Sequence, residues 1–572
     1  MKKNLITFSV ITAMLSSIAL TGCGSSSSST STAKNNAEPK VENVIKVTKA
    51  SDKSKVPDVA QKRKDTLIVG CDVPGGNFVS FYAQTITDAY ISDAVNDGLV
   101  DWDDNGKPTS GIAKSWDISS DGLTYTFHLR DDVKFSNGKP LTADDVKFSL
   151  ELVFDPSFSG AVDSKAIPIK GGEAFKAGTS KDIEGIKVKD THTISVTLEK
   201  ANSSILYLIG TTIISKDYFG SDYTPGNTKG IEAKLQKPIG CGAYEVTKYI
   251  PGQEVDLTAN SYYWKGTPKV KNLIFKATTE ENRMQNLTSG ATDIDTFNGT
   301  PENIDQIKSM GFMDYTTFPS SSIFYIGVNC KDPKFSDKKV RQALEYGLNR
   351  EQMAKSVFKG NAYIINEPQS KAHASYTNDV NQYKYNVDKA NKLLDEAGWK
   401  KGSDGIRQKD GKKFVIHLMS SSTNAAHKLE IPIIKANYKL LGIDVEPQLM
   451  DLNTLLSKTD KKDFEAYLMG TSLGADALSS DLAANFKTGA PSNNMSYSSS
   501  QVDDLIAQAY AEKDENKKTA IEQKIYKIIN EDLPFIFTYQ PQTVWASSAR
   551  VNGVKFLPYN SYPHSLFKAE VK

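Results

Sequence analysis

Residues 113–152 constrain this chain more than any other stretch, because two different side-chain periods follow one another within a short span. The segment reads first as a helical or loop turn ending at Trp116, then a short strand and a tight turn at Ser120-Asp121-Gly122, where glycine suits a positive φ. Leu123, Tyr125, Phe127 and Leu129 alternate with polar residues, the period of a half-buried strand. After a second turn at Ser136–Pro140, Thr142 and Asp145 stand three apart before Val146, Phe148, Leu150 and Val153, which predicts a capped helix. None of these residues carries chemistry, so the segment is scaffold.

Three further blocks have the same character. Pro238-Ile239-Gly240-Cys241-Gly242-Ala243-Tyr244 leads to Asn260-Ser261-Tyr262-Tyr263-Trp264; Trp116, Tyr244, Tyr263 and Trp264 are assigned to packing. Phe324-Tyr325-Ile326-Gly327-Val328-Asn329 reads as a buried strand, and Val340–Leu344 starts a helix expected to run on through Asn349-Arg350-Glu351. Tyr385–Trp399 reads as a capped helix ended by Gly398. Elsewhere strands and helices alternate, which implies α/β lobes.

In order, spacing and residue type these blocks resemble the family 5 extracellular solute-binding proteins, the oligopeptide- and dipeptide-binding receptors of ABC importers. The likeness spans roughly residues 66 to 572. It implies an α/β, two-lobed periplasmic-binding-protein-like fold with hinge strands near 319–323 and 538–541 and a subdomain inserted in the first lobe. The expected division is 66–110 and 211–320 for lobe I, with 111–210 as the insertion, 321–538 for lobe II, and 539–572 as the return to lobe I. The implied ligands are short peptides, and the implied partner is a membrane permease. The receptor would act as a monomer, without cofactor or catalysis. A non-peptide ligand (nickel chelate, oligosaccharide, haem) or a signalling peptide is the alternative on the same scaffold.

The N-terminus bears on where such a protein works. Lys2 and Lys3 precede an apolar run, Leu5 to Leu20, too short to span a membrane comfortably. Leu20-Thr21-Gly22-Cys23 resembles a bacterial lipobox, so residues 1–22 read as a lipoprotein signal and Cys23 as the lipidated residue. Residues 23–65, rich in Ser, Lys, Asn and Asp, read as a disordered tether. The implied location is the extracytoplasmic face of the cell membrane. Cys71, Cys241 and Cys330 are odd in number and read as free thiols.

Other classes find little support. Net charge is +1, and −1 once residues 1–22 with their two lysines are removed, which gives no electrostatic case for nucleic acid. The six histidines form no His-x-x-x-His pair, so a helical metal site is not expected. Asp101, Asp103, Asn105 and Gly106 imitate half of an EF-hand loop, but its twelfth position is Ile112, and a strand turn is the better reading. Gly470-Thr471-Ser472-Leu473-Gly474 matches a nucleophile elbow with only His564 downstream, which leaves a secreted serine hydrolase as a remote alternative.

By resemblance, Leu473, Gly474 and Asp476 form the cleft segment in which an aspartate takes a ligand's α-ammonium, a charge-assisted pair about twice as strong as a neutral hydrogen bond. Read from the residues alone, Asp476 is equally a helix cap or loop acid, and Asp481 is the reserve candidate. Asn77 and Phe78 in lobe I, and Tyr325 and Asn329 in lobe II, are expected either to border the cleft or to serve as scaffold.

Overall fold

The computed structural model describes residues 44–572. Cys23 and the signal segment lie outside the described residues. Lobe I is built on a nine-stranded sheet whose parallel heart is Thr66–Cys71 between Asn272–Ala277 and Ile294–Asn298. The longest strand, Tyr539–Ser548, runs antiparallel between Ile294–Asn298 and Met313–Pro319. Its buried run of Val544, Trp545 and Ala546 explains why the C-terminal part of the chain returns to this lobe.

Lobe II carries a five-stranded sheet in the order Asp444–Met450, Val415–Ser421, Ala466–Ser472, Ser322–Val328, Phe535–Phe537. Helices Ala425–Leu440, Ser500–Ala511 and Glu515–Asp532 contribute apolar side chains to its core. The helix expected through Arg350 is instead two, Lys338–Tyr346 and Arg350–Phe358, because Asn349 leaves the helix and its side chain caps the second from Gln352 N.

The inserted subdomain is the four-stranded sheet Ala113–Ile118, Thr124–Leu129, Thr193–Thr197, Ile186–Asp190, backed by helix Ala143–Val153. The opening segment expected as a helical or loop turn is thus a strand; Trp116 pairs with Phe127 across it. The Thr142–Asp145 capping box is present. The subdomain's core reaches beyond 210, taking in Ile213, Phe219, Ile231, Leu235 and Cys241.

The expected tether is shorter than 65. Lys46–Thr48 pairs antiparallel with Met313–Pro319, and Val56 and Ala60 pack among Leu287, Phe297 and Ile307. A polar segment hid these two apolar anchors and an available sheet edge. Cys71, Cys241 and Cys330 are free.

The chain crosses between the two large sheets at Ser320–Ser321 and at Thr538. Gln540, fully buried on the second crossing, ties it to the first: its Nε2 donates to Ser320 O at 2.5 Å and to Ser370 Oγ at 2.6 Å. A short strand from lobe II, Ala362–Ile364, pairs with the same segment at Tyr539–Pro541. Apart from these crossings the subdomain also meets lobe II: Ser203 N donates to Tyr510 O at 2.9 Å, and Lys513 Nζ donates to Ser120 O at 2.5 Å. The lobes are therefore joined through the crossings and touch again through the subdomain.

Several carboxyls lie in this interior. Burial pushes Glu345, Glu367 and Glu430 up to about 7 from near 4.5, and Asp295 up to about 6 from near 3.8. A folded-state value above the unfolded one means that the folded chain holds more protons in between. The stabilisation from these glutamates is full below about pH 4.5 and is lost as pH rises through about 7. The melting temperature is therefore expected to be several degrees higher at pH 5.5 than at pH 8; an equal or higher value at pH 8 contradicts this.

Candidate functional site

Where the strand Ala466–Ser472 ends, the chain bends through Leu473, Gly474 and Ala475 into a seven-residue π-helix, Ala477–Ala483. Asp476 caps it: Oδ2 accepts Ser479 N at 3.0 Å and the Ser479 hydroxyl. Asp481 turns back to fix the bend, its Oδ1 accepting Gly474 N at 3.0 Å. This short turn projects from lobe II towards lobe I and forms one wall of a groove between them.

Facing it are lobe I and its subdomain. One part of the groove, about 360 Å³, lies between Gly474, Asp476 and Ser480 on one side and Trp102, Tyr207 and His564 on the other. The adjoining part, about 280 Å³, runs past Ser321 and Leu473 to Tyr90, Trp545, Phe556 and Tyr562. Ala475, Tyr559 and Ser561 line both. Aromatic packing stiffens the lobe I wall. Trp102 stacks on Tyr207 with centroids 5.3 Å apart, and Trp545 stacks on Phe556 at 5.1 Å. Two polar atoms in this wall, Ser561 Oγ and Tyr562 OH, are buried without a hydrogen-bond partner. Unsatisfied groups of this kind mark places where a ligand or water can bond. The turn ending at Gly106 approaches so closely that a Cβ there would lie 2.9 Å from Ala475 Cβ and from Tyr559, and its φ of +76° also favours glycine.

Asp476 does not stand alone. Lys518, on helix Glu515–Asp532, places Nζ 3.2 Å from Asp476 Oδ1, and both side chains are about nineteen-twentieths buried, at 4% and 5% exposure. Burial would raise the Asp476 carboxyl, but Lys518 and Ser479 outweigh it and hold the group below its ordinary range. Burial would likewise lower the Lys518 ammonium, and Asp476 with Glu522 keeps it raised. Both members are therefore charged. Glu522, one turn along the helix, is pushed up to about 8 by burial and by Asp476, against the pull of Lys518. The subdomain covers this cluster: Lys518 Nζ is 3.5 Å from Ser204 Oγ and 5.8 Å from the Tyr207 ring centre.

Of the residues singled out from sequence, Leu473, Gly474 and Asp476 come together at the groove. Asp476 is both cap and groove residue, and its charge is paired with Lys518. Asn77, Phe78, Tyr325 and Asn329 are not brought to the groove lining. Phe78 is buried edge-on against Tyr249, next to Asn77 in a loop held by Asp88. Tyr325 stacks on Phe535 at 3.7 Å inside lobe II, and Asn329 Nδ2 donates to Phe464 O. Ser472 Oγ lies 3.1 Å from Ser322 Oγ, while His564 Nε2 lies 3.7 Å from Asp93 on lobe I. Asp103 Oδ1 accepts from Asn105 N and Lys107 N, as in a strand turn. Among the described residues no group of three His, Cys, Asp or Glu side chains could hold a metal ion, and no helix is long and apolar enough to cross a membrane.

Sequence reasoning missed Lys518, Glu522 and the aromatic wall. The signal for the first two was available: 518, 522, 525, 526 and 529 form one helical stripe, and two charged residues occupy its core positions. The wall residues come from three distant segments, and no local pattern joins them.

Comparison with known proteins agrees with this architecture. The oligopeptide-binding protein AppA of Bacillus subtilis is 28% identical over 498 residues, covering 86% of this chain and 89% of that protein. Its solved structure in complex with a nonapeptide superposes with a TM-score of 0.70 at 26% identity, over 89% of this chain and 99% of that one. Heme-binding protein A of Haemophilus influenzae is 25% identical over 462 residues, 78% of this chain and 82% of that protein. The family described as bacterial extracellular solute-binding proteins, family 5, middle, matches residues 107–494. The chain belongs to family 5 of the bacterial extracellular solute-binding proteins.

Proposed function

We propose that this protein is a lipid-anchored receptor that captures short peptides outside the cell membrane and delivers them to an ABC permease. The observation that carries the ligand class is the 28% identity to an oligopeptide-binding protein across 86% of the chain, together with a groove framed by both lobes. The two crossings at Ser320–Ser321 and Thr538 serve as the hinge, and contacts such as Ser203 to Tyr510 make and break as it opens. A peptide lying along the groove exchanges main-chain hydrogen bonds with both walls, so affinity depends little on side-chain identity. Cys23 carries the lipid, and each buried methylene contributes about 0.8 kcal/mol to membrane retention.

Native mass spectrometry of the soluble form beginning at Gly24 tests the ligand class. A ladder of small peptide masses is expected. A single haem or metal-chelate mass overturns the peptide reading. Added peptide at about a hundred times its dissociation constant should raise stability by about 2.7 kcal/mol, read as an upward shift in melting temperature.

A further inference from the structure

The groove lining holds two carboxylates, and each faces a base of the protein's own. Asp93 Oδ2 lies 3.7 Å from His564 Nε2, and Asp476 Oδ1 lies 3.2 Å from Lys518 Nζ. No lysine or arginine lines either part of the groove. Lys518 is enclosed when the groove is shut. It is nine-tenths buried, rooted on helix Glu515–Asp532, and covered from lobe I by Ser204 and Tyr207. Glu522 beside it does not add a second negative charge at neutral pH, because burial holds its proton up to about 8.

A ligand ammonium arriving at Asp476 would therefore share one carboxylate with a fixed cation a few ångströms away. Evicting Lys518 would leave a buried ammonium without its partner, and breaking a buried pair in this way costs about 3–5 kcal/mol. A group with no charge meets neither obstacle. It needs nothing from Asp476, whose oxygens already accept from Ser479 N, the Ser479 hydroxyl and Lys518 Nζ.

We propose that Lys518 is a built-in counter-ion that makes this groove select uncharged ligand segments, so that a peptide enters by its interior or by a blocked amino terminus and not by a free ammonium. This rests on the peptide reading above and specifies its chemistry.

Isothermal titration with a synthetic pentapeptide series, each member with a free and an N-acetylated terminus, provides the test. For the wild type the acetylated form is expected to bind within about threefold of the free form, or more tightly. A free-amine preference of about tenfold or more overturns the inference while leaving the peptide reading intact. Absence of binding by either form overturns the peptide reading, and the inference with it. Lys518→Met leaves Asp476 unpaired, and the preference should move towards the free amine by about tenfold. An unchanged ratio in a folded Lys518→Met protein overturns the assignment to Lys518. The double variant Asp476→Asn/Lys518→Met removes both charges, and its ratio should return to the wild-type value. If Lys518→Met fails to fold, the wild-type ratio and the double variant decide.

Discussion

Arg350→Met should lower the unfolding free energy by about 3–5 kcal/mol near pH 8 and by distinctly less near pH 5. Arg350 is buried with its Nη1 2.7 Å from Glu345, and burial has already pushed that glutamate up to about 7 despite the guanidinium. The same side chain donates to the carbonyls of Ile365, Gln382 and Tyr383 and to Asn366 Oδ1, and so fixes a long loop of lobe II. Methionine fills much of the volume but supplies no donor. At pH 8 the stranded carboxylate must stay charged in an apolar interior or take a proton against the solution. At pH 5 it holds a proton at little cost, and only the loop's lost hydrogen bonds remain. Urea unfolding at the two pH values measures the difference. A loss that does not depend on pH would show that Glu345 is not the group left stranded.

Trp545→Ala should be the most damaging single change at the groove. Trp545 is 7% exposed on the strand Tyr539–Ser548, with Tyr562 at 4.8 Å, Phe556 at 5.1 Å and Tyr90 at 6.2 Å between ring centres. Truncating a buried tryptophan costs about 3–5 kcal/mol through lost contacts and the cavity left behind. The four rings also make the apolar end of the groove, so peptide affinity should fall by about thirtyfold or more, in the range of a buried aromatic hot spot. Trp545→Phe keeps the stacking and should recover most of the stability but only part of the affinity. Thermal melts and titration calorimetry separate the two effects. Wild-type affinity in a folded Trp545→Ala protein would remove this wall from the binding site.

Scaffold features were the most legible part of the sequence. Thr142 with Asp145, the alternation of Tyr125, Phe127 and Leu129, and Gly398 at a helix end are local devices, and each appears where its pattern places it. Features that depend on distant partners were less legible. Val56 and Ala60 read as tether because their apolar neighbours lie beyond residue 280 in the chain. Asn349 breaks a helix whose apolar period runs on either side of it. At the site, Gly474 and Asp476 were found through likeness, and the cap on Ser479 is a local consequence of the aspartate. Lys518 escaped because a lysine 42 residues downstream has no pattern that ties it to one particular acid, even though its place on a buried stripe marked it as unusual. Tyr325 and Phe78 are the converse case: a strand residue such as Tyr325 can point to either face of its sheet, a loop residue such as Phe78 can turn inward, and both side chains enter the cores.

The short strand Lys46–Thr48 has a mechanical consequence. It is the first described pairing in the chain and joins the edge of the lobe I sheet, beside the strand that leads to the hinge. A pull from the N-terminal side is therefore borne by lobe I, while lobe II is steered only through its junctions with it. With the anchor proposed at Cys23, lobe I would act as the stator and lobe II as the rotor, so the surface free to swing would be the one bearing Lys513 and its neighbouring helices.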